Sequence, residues 1–205
     1  MAKKYEKIKS KPGTTVYPAP PVMVSCGDME KSNVFTAAWT GNMNSEPPMA
    51  YVSIRKERLS HEIISESGEF VLNLTNADLV KEMDFCGVKS GRELDKFEHL
   101  GLTKQQADVV KAPLIAEAPV NIECKVRDVY EYPSHDMFIA DIVAVHIAKD
   151  FVCEDGAYDF AAMGLVALNH GKYYKLEEES RGFFGFSIMK PKTKARRMNQ
   201  GKKVR

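Results

Sequence analysis

The cysteines of this chain are few and far apart in sequence. The four, Cys26, Cys86, Cys124 and Cys153, form no CxxC pair, which removes the usual zinc and iron–sulfur spacings. Dispersed free thiols suit a reducing compartment, and a cytoplasmic location is expected. His61, His99, His135, His146 and His170 are also scattered, none with an i+4 histidine, so no metal site is predicted. There is no GxSxG, which excludes the nucleophile elbow of the serine hydrolases. There is no GxGxxG and no Walker loop, so neither a Rossmann nor a P-loop nucleotide site is visible. The opening MAKKYEKIKSK has no apolar centre of a signal peptide. The most apolar run, Met137 to Ala148, is short and broken by Asp141 and His146, so no membrane span is expected.

The composition that remains is that of a globular domain. Of 205 residues, 44% are hydrophobic and 28% charged, enough for one large domain with a sizeable core. The expected division is a single domain over residues 1–190 and a basic tail over 191–205. Net charge is +1, but residues 1–12 carry +4 and residues 191–205 carry +7, which leaves the body at −10. An acidic body argues against nucleic acid as a main ligand. The tail reads as a solvated or partner-docked end.

Along the chain, three prolines in Val16 to Pro21 give an extended lead-in. Val22 to Cys26 and Val34 to Thr40 read as a hairpin, and residues 41–48 as a turn-rich connection. Met49 to Ile54 and Glu69 to Leu74 are β-prone strands that flank a short helix, with Ser60 as its expected N-cap and Gly68 as its stop. From Asp78 the pattern turns helical, with Leu79, Val80 and Met83 on one face. A capping box of Ser90 and Glu93 opens a second short helix, and a third is expected over Thr103 to Val110. Val120 to Val129 alternates, with Val120, Ile122, Cys124 and Val126 facing one way and Asn121, Glu123, Lys125 and Arg127 the other. Met137 to Ala148 reads as a strand buried on both faces, as in a barrel wall or a dimer interface. Shorter strands are expected at Phe151 to Val152, Gly164 to Leu168 and Lys172 to Leu176. The count is seven to nine strands with two or three helices mid-chain. That predicts an α+β fold built on an antiparallel β-barrel.

Two turns are suited to an anion. Arg55, Lys56 and Arg58 crowd the start of the first helix, where free N–H groups and the helix dipole point outward. Lys89-Ser90-Gly91-Arg92 with Lys96 repeats the arrangement, and i,i+4 spacing puts Arg92 and Lys96 on one side of the expected helix. A third stretch, Asn33 to Trp39, has small residues beside the only Trp, which would let a flat ligand approach the backbone. Each admits a plainer reading: a solvated basic turn, a charge-paired helix face, a core strand with an interface Trp.

Taken in order, these stretches resemble a known family. Asn33…Thr36-Ala37-Ala38-Trp39, Val52-Ser53-Ile54-Arg55…Arg58-Leu59-Ser60, Gly68-Glu69-Phe70-Val71-Leu72-Asn73, Ser90-Gly91…Asp95-Lys96-Phe97 and Glu117-Ala118-Pro119-Val120…Glu123-Cys124 resemble the flavin reductase-like FMN-binding split-barrel family, with the flavoredoxin group as nearest branch. The resemblance spans about residues 15 to 176. It implies a six-stranded split barrel, a homodimer and one FMN per subunit. It further implies that the backbone at Thr36, Ala37, Ala38 and Trp39 and at Ser53, Ile54 and Arg55 lines the isoalloxazine. Arg58 and Ser60, helped by His61, would hold the phosphate, and Ser90, Gly91 and Lys96 would close the phosphate and ribityl end. His135 falls where reductases of this family often place a His near the nicotinamide, although here it follows Pro133-Ser134 rather than a Gly-Asp pair. Two redox roles stay open: reduction of FMN by NAD(P)H for a small-molecule acceptor, or electron carriage from a redox partner protein. The alternative from another class is a non-redox split-barrel module that binds haem or a similar ligand. Flavin chemistry needs no acid–base constellation in the protein, in keeping with the absence of one.

Overall fold

The structure, a computed structural model, describes residues 3–177, 179–191 and 193. Of the basic stretch at 191–205, only residues 191 and 193 are described; the rest of that expected tail lies outside the described residues.

The elements run β1 (Val22–Gly27), β2 (Ser32–Ala37), β3 (Thr40–Ser45), β4 (Pro48–Arg55), α1 (Leu59–Ser67), β5 (Glu69–Leu74), α2 (Val80–Val88), α3 (Lys96–Leu100), β6 (Lys104–Gln105), β7 (Leu114–Ile115), β8 (Val120–Glu131), β9 (His135–Ile147), β10 (Val166–Asn169) and β11 (Lys172–Lys175). Seven of the strands form one sheet in the order β2-β1-β5-β8-β9-β4-β3, every pairing antiparallel. β2 and β3 are the opposite edges of that sheet, yet only Ala38 and Trp39 separate them in sequence. Three Cα steps reach roughly 11 Å at most. The sheet must therefore curl until its two edges nearly meet, which leaves a barrel with a seam. Ser53 N–H donates to the Trp39 carbonyl at 2.9 Å and ties that seam on the β4 side.

Alternation then fills the barrel. Val24, Cys26, Phe35, Ile54, Phe70, Leu72, Cys124 and Phe138 make one buried cluster inside it. The opposite face of the same strands is covered as well: Met23 and Val34 pack with Met83, Cys86 and Phe97 of the helices, and Val71 packs with Val110 and Leu114. Burial of one such large side chain contributes about 1.5–3 kcal/mol, so the β2-β1-β5 part of the sheet, dry on both faces, is a stiff platform for a site at its seam.

The α+β split-barrel expectation holds, with corrections in detail. The barrel sheet has seven strands rather than six. Residues 41–45, expected in the turn-rich connection, belong to strand β3, because Thr40, Gly41 and Asn42 pair with Val52, Tyr51 and Ala50 across a hairpin at Glu46-Pro47. Polar side chains hid that edge strand from a reading based on hydrophobicity. Ser60 is not the N-cap of α1; Arg58 takes that place in extended backbone, and Ser60 is buried one residue inside the helix. Gly68 stops α1 in the left-handed conformation, as expected. Asp95, not Ser90, caps α3, accepting from Glu98 N–H. Thr103 to Val110 is not helical: Lys104–Gln105 pairs with Leu114–Ile115. Asn121 and Glu123, polar positions of the alternating β8, are both buried. Glu123 is fully buried and accepts from the N–H groups of Asp108, Val109 and Val110 and from His146, which pins the 107–112 segment to β8. Residues 151–152 are a 3₁₀ end and an isolated bridge rather than a strand. Among the described residues, no helix is long and apolar enough to cross a membrane.

Candidate functional site

The expected site residues sort themselves along β2. At its start, Asn33 and Phe35 face a cavity of about 10 Å³ that is also lined by Arg58, Leu59, Ser60, Lys89, Ser90, Gly91 and Lys96. Two sequence-distant walls meet there, the first turn of α1 and the turn after α2. α1 begins without a side-chain cap, and its first residues, Leu59 and Ser60, line this cavity at the positive end of the helix dipole.

Each polar side chain of the cavity is already oriented. Asn33 Nδ2 donates to Ser60 Oγ at 2.8 Å, both residues buried. Arg58 Nη2 donates to the Gly87 carbonyl at 2.8 Å, which fixes the guanidinium against the end of α2. Lys96, only 3% exposed, donates from Nζ to the Val34 carbonyl at 2.8 Å and the Cys86 carbonyl at 3.0 Å. Burial pulls its pKa below the ordinary lysine value, since a charge in that setting lacks its water shell. Burial also pushes the neighbouring Cys26 thiol up to about 11, despite Ser60 and Lys96 nearby, so Cys26 is an inert core group. Ser90 Oγ accepts from Arg92 N–H, shaping the turn. Gly91 lies so close to Asn33 that a Cβ added there would sit 2.2 Å from Asn33 Oδ1. A side chain at 91 would displace the group that faces the cavity.

Two expectations for this end change. Arg92 and Lys96 do not share a helix face, because residues 91–94 form turns and α3 starts at Lys96. Lys96 enters the interior while Arg92 pairs outside with Glu62. His61 does not join the cavity lining. Its Nε2 meets Asp136 Oδ2 at 2.7 Å, and its ring lies edge-on to Phe138 at 5.3 Å. Lys56 Nζ holds the other oxygen of Asp136 at 3.1 Å.

Past the end of β2 the surroundings change. Ala38, Trp39, Thr40 and Tyr51 line a cavity of about 430 Å³ with Thr14, Val16, Pro18, Ala19 and Pro20. Five residue steps from Asn33 to Ala38 correspond to roughly 17 Å along an extended chain. Trp39 is 45% exposed, and its ring lies 4.7 Å from that of His135. His135 is also bonded through Nδ1 to Ser134 Oγ at 2.9 Å. Burial and Arg55, its partner across β4 and β9, hold its pKa below the usual value, with Glu57 opposing. Arg55 itself is exposed and pairs with Glu57, away from the anion cavity.

The remaining expected residues contribute backbone only or are core. The Thr36 hydroxyl donates to the Met83 carbonyl on the helix side of β2, while Ala37 and Ile54 are buried in the barrel. Ser53 is half-buried and holds Trp39 by its N–H. Sequence reading did not identify Phe35 and Leu59 as lining, nor the wall supplied by residues 14–20 and Tyr51. The proline run was legible as extended chain, but nothing in it indicated where it would lie.

Comparison with known proteins decides the family. The model of the flavin reductase-like domain matches residues 14–173. The chain belongs to that family. Flavoredoxin of Desulfovibrio vulgaris (Miyazaki F) superposes with a TM-score of 0.81 at 31% identity, covering 88% of this chain and 98% of that one. Flavoredoxin from Methanosarcina acetivorans gives 0.81 at 28% identity, covering 90% and 100%. An uncharacterised protein of Archaeoglobus fulgidus is 31% identical over 166 residues, 81% of this chain and 92% of its own. Membership of this family supports a flavin cofactor and a redox role.

The residues present fit a flavin phosphate. The cavity at the start of β2 joins free helix N–H groups, a bound guanidinium, a buried ammonium and an amide, and a glycine keeps it open. That donor set suits a dianionic oxygen cluster.

Proposed function

We propose that this protein is an FMN-binding electron carrier of the flavoredoxin kind. The observation that carries the reading is the pairing of a narrow cationic cavity and a wide uncharged one at the two ends of β2, in a member of this family. FMN, when bound, supplies the acceptance and return of electrons or hydride. Arg58, Ser60, Ser90 and the first turn of α1 would bind its phosphate, with Lys96 and Asn33 setting their positions. The seam at Ala38, Trp39 and Ser53 would take the ring, and Trp39 would exclude water from its edge.

The carrier role is favoured over an NAD(P)H reductase by His135. Its ring packs against Trp39 and its Nδ1 is bonded to Ser134 Oγ, which holds the imidazole in place and leaves only Nε2 for a nicotinamide. The electrons would then come from a redox partner protein. A homodimer is supported by Met43, Val129, Tyr130 and Val145, apolar or aromatic side chains 46–53% exposed on strands of the β8-β9-β4-β3 half of the sheet. Four free cysteines agree with a cytoplasmic location.

The test is an absorption spectrum of the purified chain, followed by anaerobic addition of NADH, NADPH and then dithionite. A flavin band that only dithionite bleaches quickly is expected, at about one FMN per chain. Rapid stoichiometric bleaching by either nucleotide would convert the reading to a reductase. A haem spectrum, or failure to take up added FMN, would overturn it.

A further inference from the structure

We infer that the ion pair between Glu62 and Arg92 sets the choice between FMN and FAD. The inference rests on the flavin reading above. Glu62 lies in the first turn of α1 and Arg92 in the turn that follows Gly91, so the pair joins the two walls of the anion cavity. Both side chains are about half exposed, at 52% and 48%, whereas Asn33, Ser60 and Lys96 of the cavity lining are buried. The pair therefore stands on the solvent side of the buried lining.

FMN ends in a phosphate monoester that carries close to two negative charges near neutral pH. In FAD the same phosphorus is part of a diphosphate diester, with one charge on each phosphate. The second phosphate must leave the cavity along its solvent side. There it would meet the Glu62 carboxylate, a like charge beside the end of α1. Arg92, the cation that could receive it, is held by Glu62. Lys89, the next cation on that turn, is paired with Glu93 at 3.7 Å. The outer rim is thus close to neutral while the interior is cationic. Such a site favours two charges on one phosphate over one charge on each of two.

Glu62→Gln removes the repulsion and releases Arg92 without altering the residues that line the cavity. Riboflavin, FMN and FAD are titrated onto flavin-free full-length protein, followed by quenching of flavin fluorescence. Wild type should prefer FMN over FAD. Glu62→Gln should raise FAD affinity relative to FMN by about two- to fivefold, the scale of an exposed charge pair. Addition of Arg92→Met to Glu62→Gln should return the ratio to the wild-type value or below it, since no cation is left for the second phosphate. An unchanged ratio in Glu62→Gln, or a wild type that prefers FAD, overturns the inference while leaving flavin binding intact. A wild type that binds no flavin overturns both this inference and the FMN reading.

Discussion

The two ends of β2 recognise by opposite means. At Asn33 the cavity is small, and its donors are held in place by Ser60, Gly87, Val34 and Cys86 before any ligand arrives. At Trp39 the cavity is some forty times larger and bordered by prolines, alanines and aromatic edges. An anion must be stripped of water, so the groups that replace that water have to stand ready; donors that needed to reorganise would lose the gain. A flat ring asks for area instead, and area tolerates approximate fit. The tight end should therefore respond steeply to small changes and the wide end shallowly to large ones.

The steepest response should come from the smallest change. Gly91→Ala adds one methyl, but its Cβ would lie 2.2 Å from Asn33 Oδ1. Asn33 is 5% exposed and bonded to Ser60, so it cannot swing away without breaking that contact. Gly91 shows no left-handed φ, so the cost is packing rather than backbone strain. The displaced amide and hydroxyl should cost FMN about a hundredfold in affinity, the equivalent of one strong charge-assisted hydrogen bond. Affinity within threefold of wild type would show that the tight end is softer than its packing indicates.

Next comes a pair of substitutions, one at each end, read with FMN and riboflavin. Arg58→Ala should weaken FMN by roughly ten- to hundredfold and riboflavin, which lacks the phosphate, much less. Trp39→Ala should weaken both ligands equally, by about three- to tenfold, because it removes contact with a ring common to both. Equal losses of the two ligands in Arg58→Ala would mean that the arginine is a structural tie to Gly87 and not the phosphate anchor.

The sequence disclosed the tight end better than the wide one. Cations next to a helix start are a local signal, and Arg58, Ser60, Ser90, Gly91 and Lys96 were all readable as anion binders. What was not readable was how each would be oriented. Ser60 had the residue type of a cap but lies inside α1, and Lys96 looked like one side of a helix but caps two carbonyls in the interior. The wide end depends on long-range placement. Residues 14–20 reach it because Ala19 pairs with Leu168, a contact 149 positions away in the chain. The edge strand β3 escaped notice for the complementary reason: Asn42, Asn44 and Ser45 carry no hydrophobic alternation, and only pairing to β4 makes them a strand. Similarly, Glu123 is buried because the irregular 107–112 segment folds over it, and that segment carries no periodic signal.

The smallest expected effect concerns His61, which the tight end does not include. Asp136 holds it from β9, and Lys56 holds Asp136. Burial pushes the Asp136 carboxyl up, but the bonds from His61 and Lys56 outweigh it and keep the pKa below the ordinary aspartate value. A carboxylate depressed in the folded state stabilises that state above its unfolded pKa of about 3.9, and loses that contribution as pH falls through the folded value. Asp136→Asn should therefore lower stability by about 1–3 kcal/mol near neutral pH, since hydrogen bonds to a charged group are lost. The difference from wild type should persist down to about pH 4 and shrink only below it. Urea unfolding at several pH values measures both. FMN affinity should change less than in Arg58→Ala, because His61 stands outside the cavity. A larger loss of FMN than of stability would place His61 in the phosphate site after all, with Asp136 as the residue that aims it.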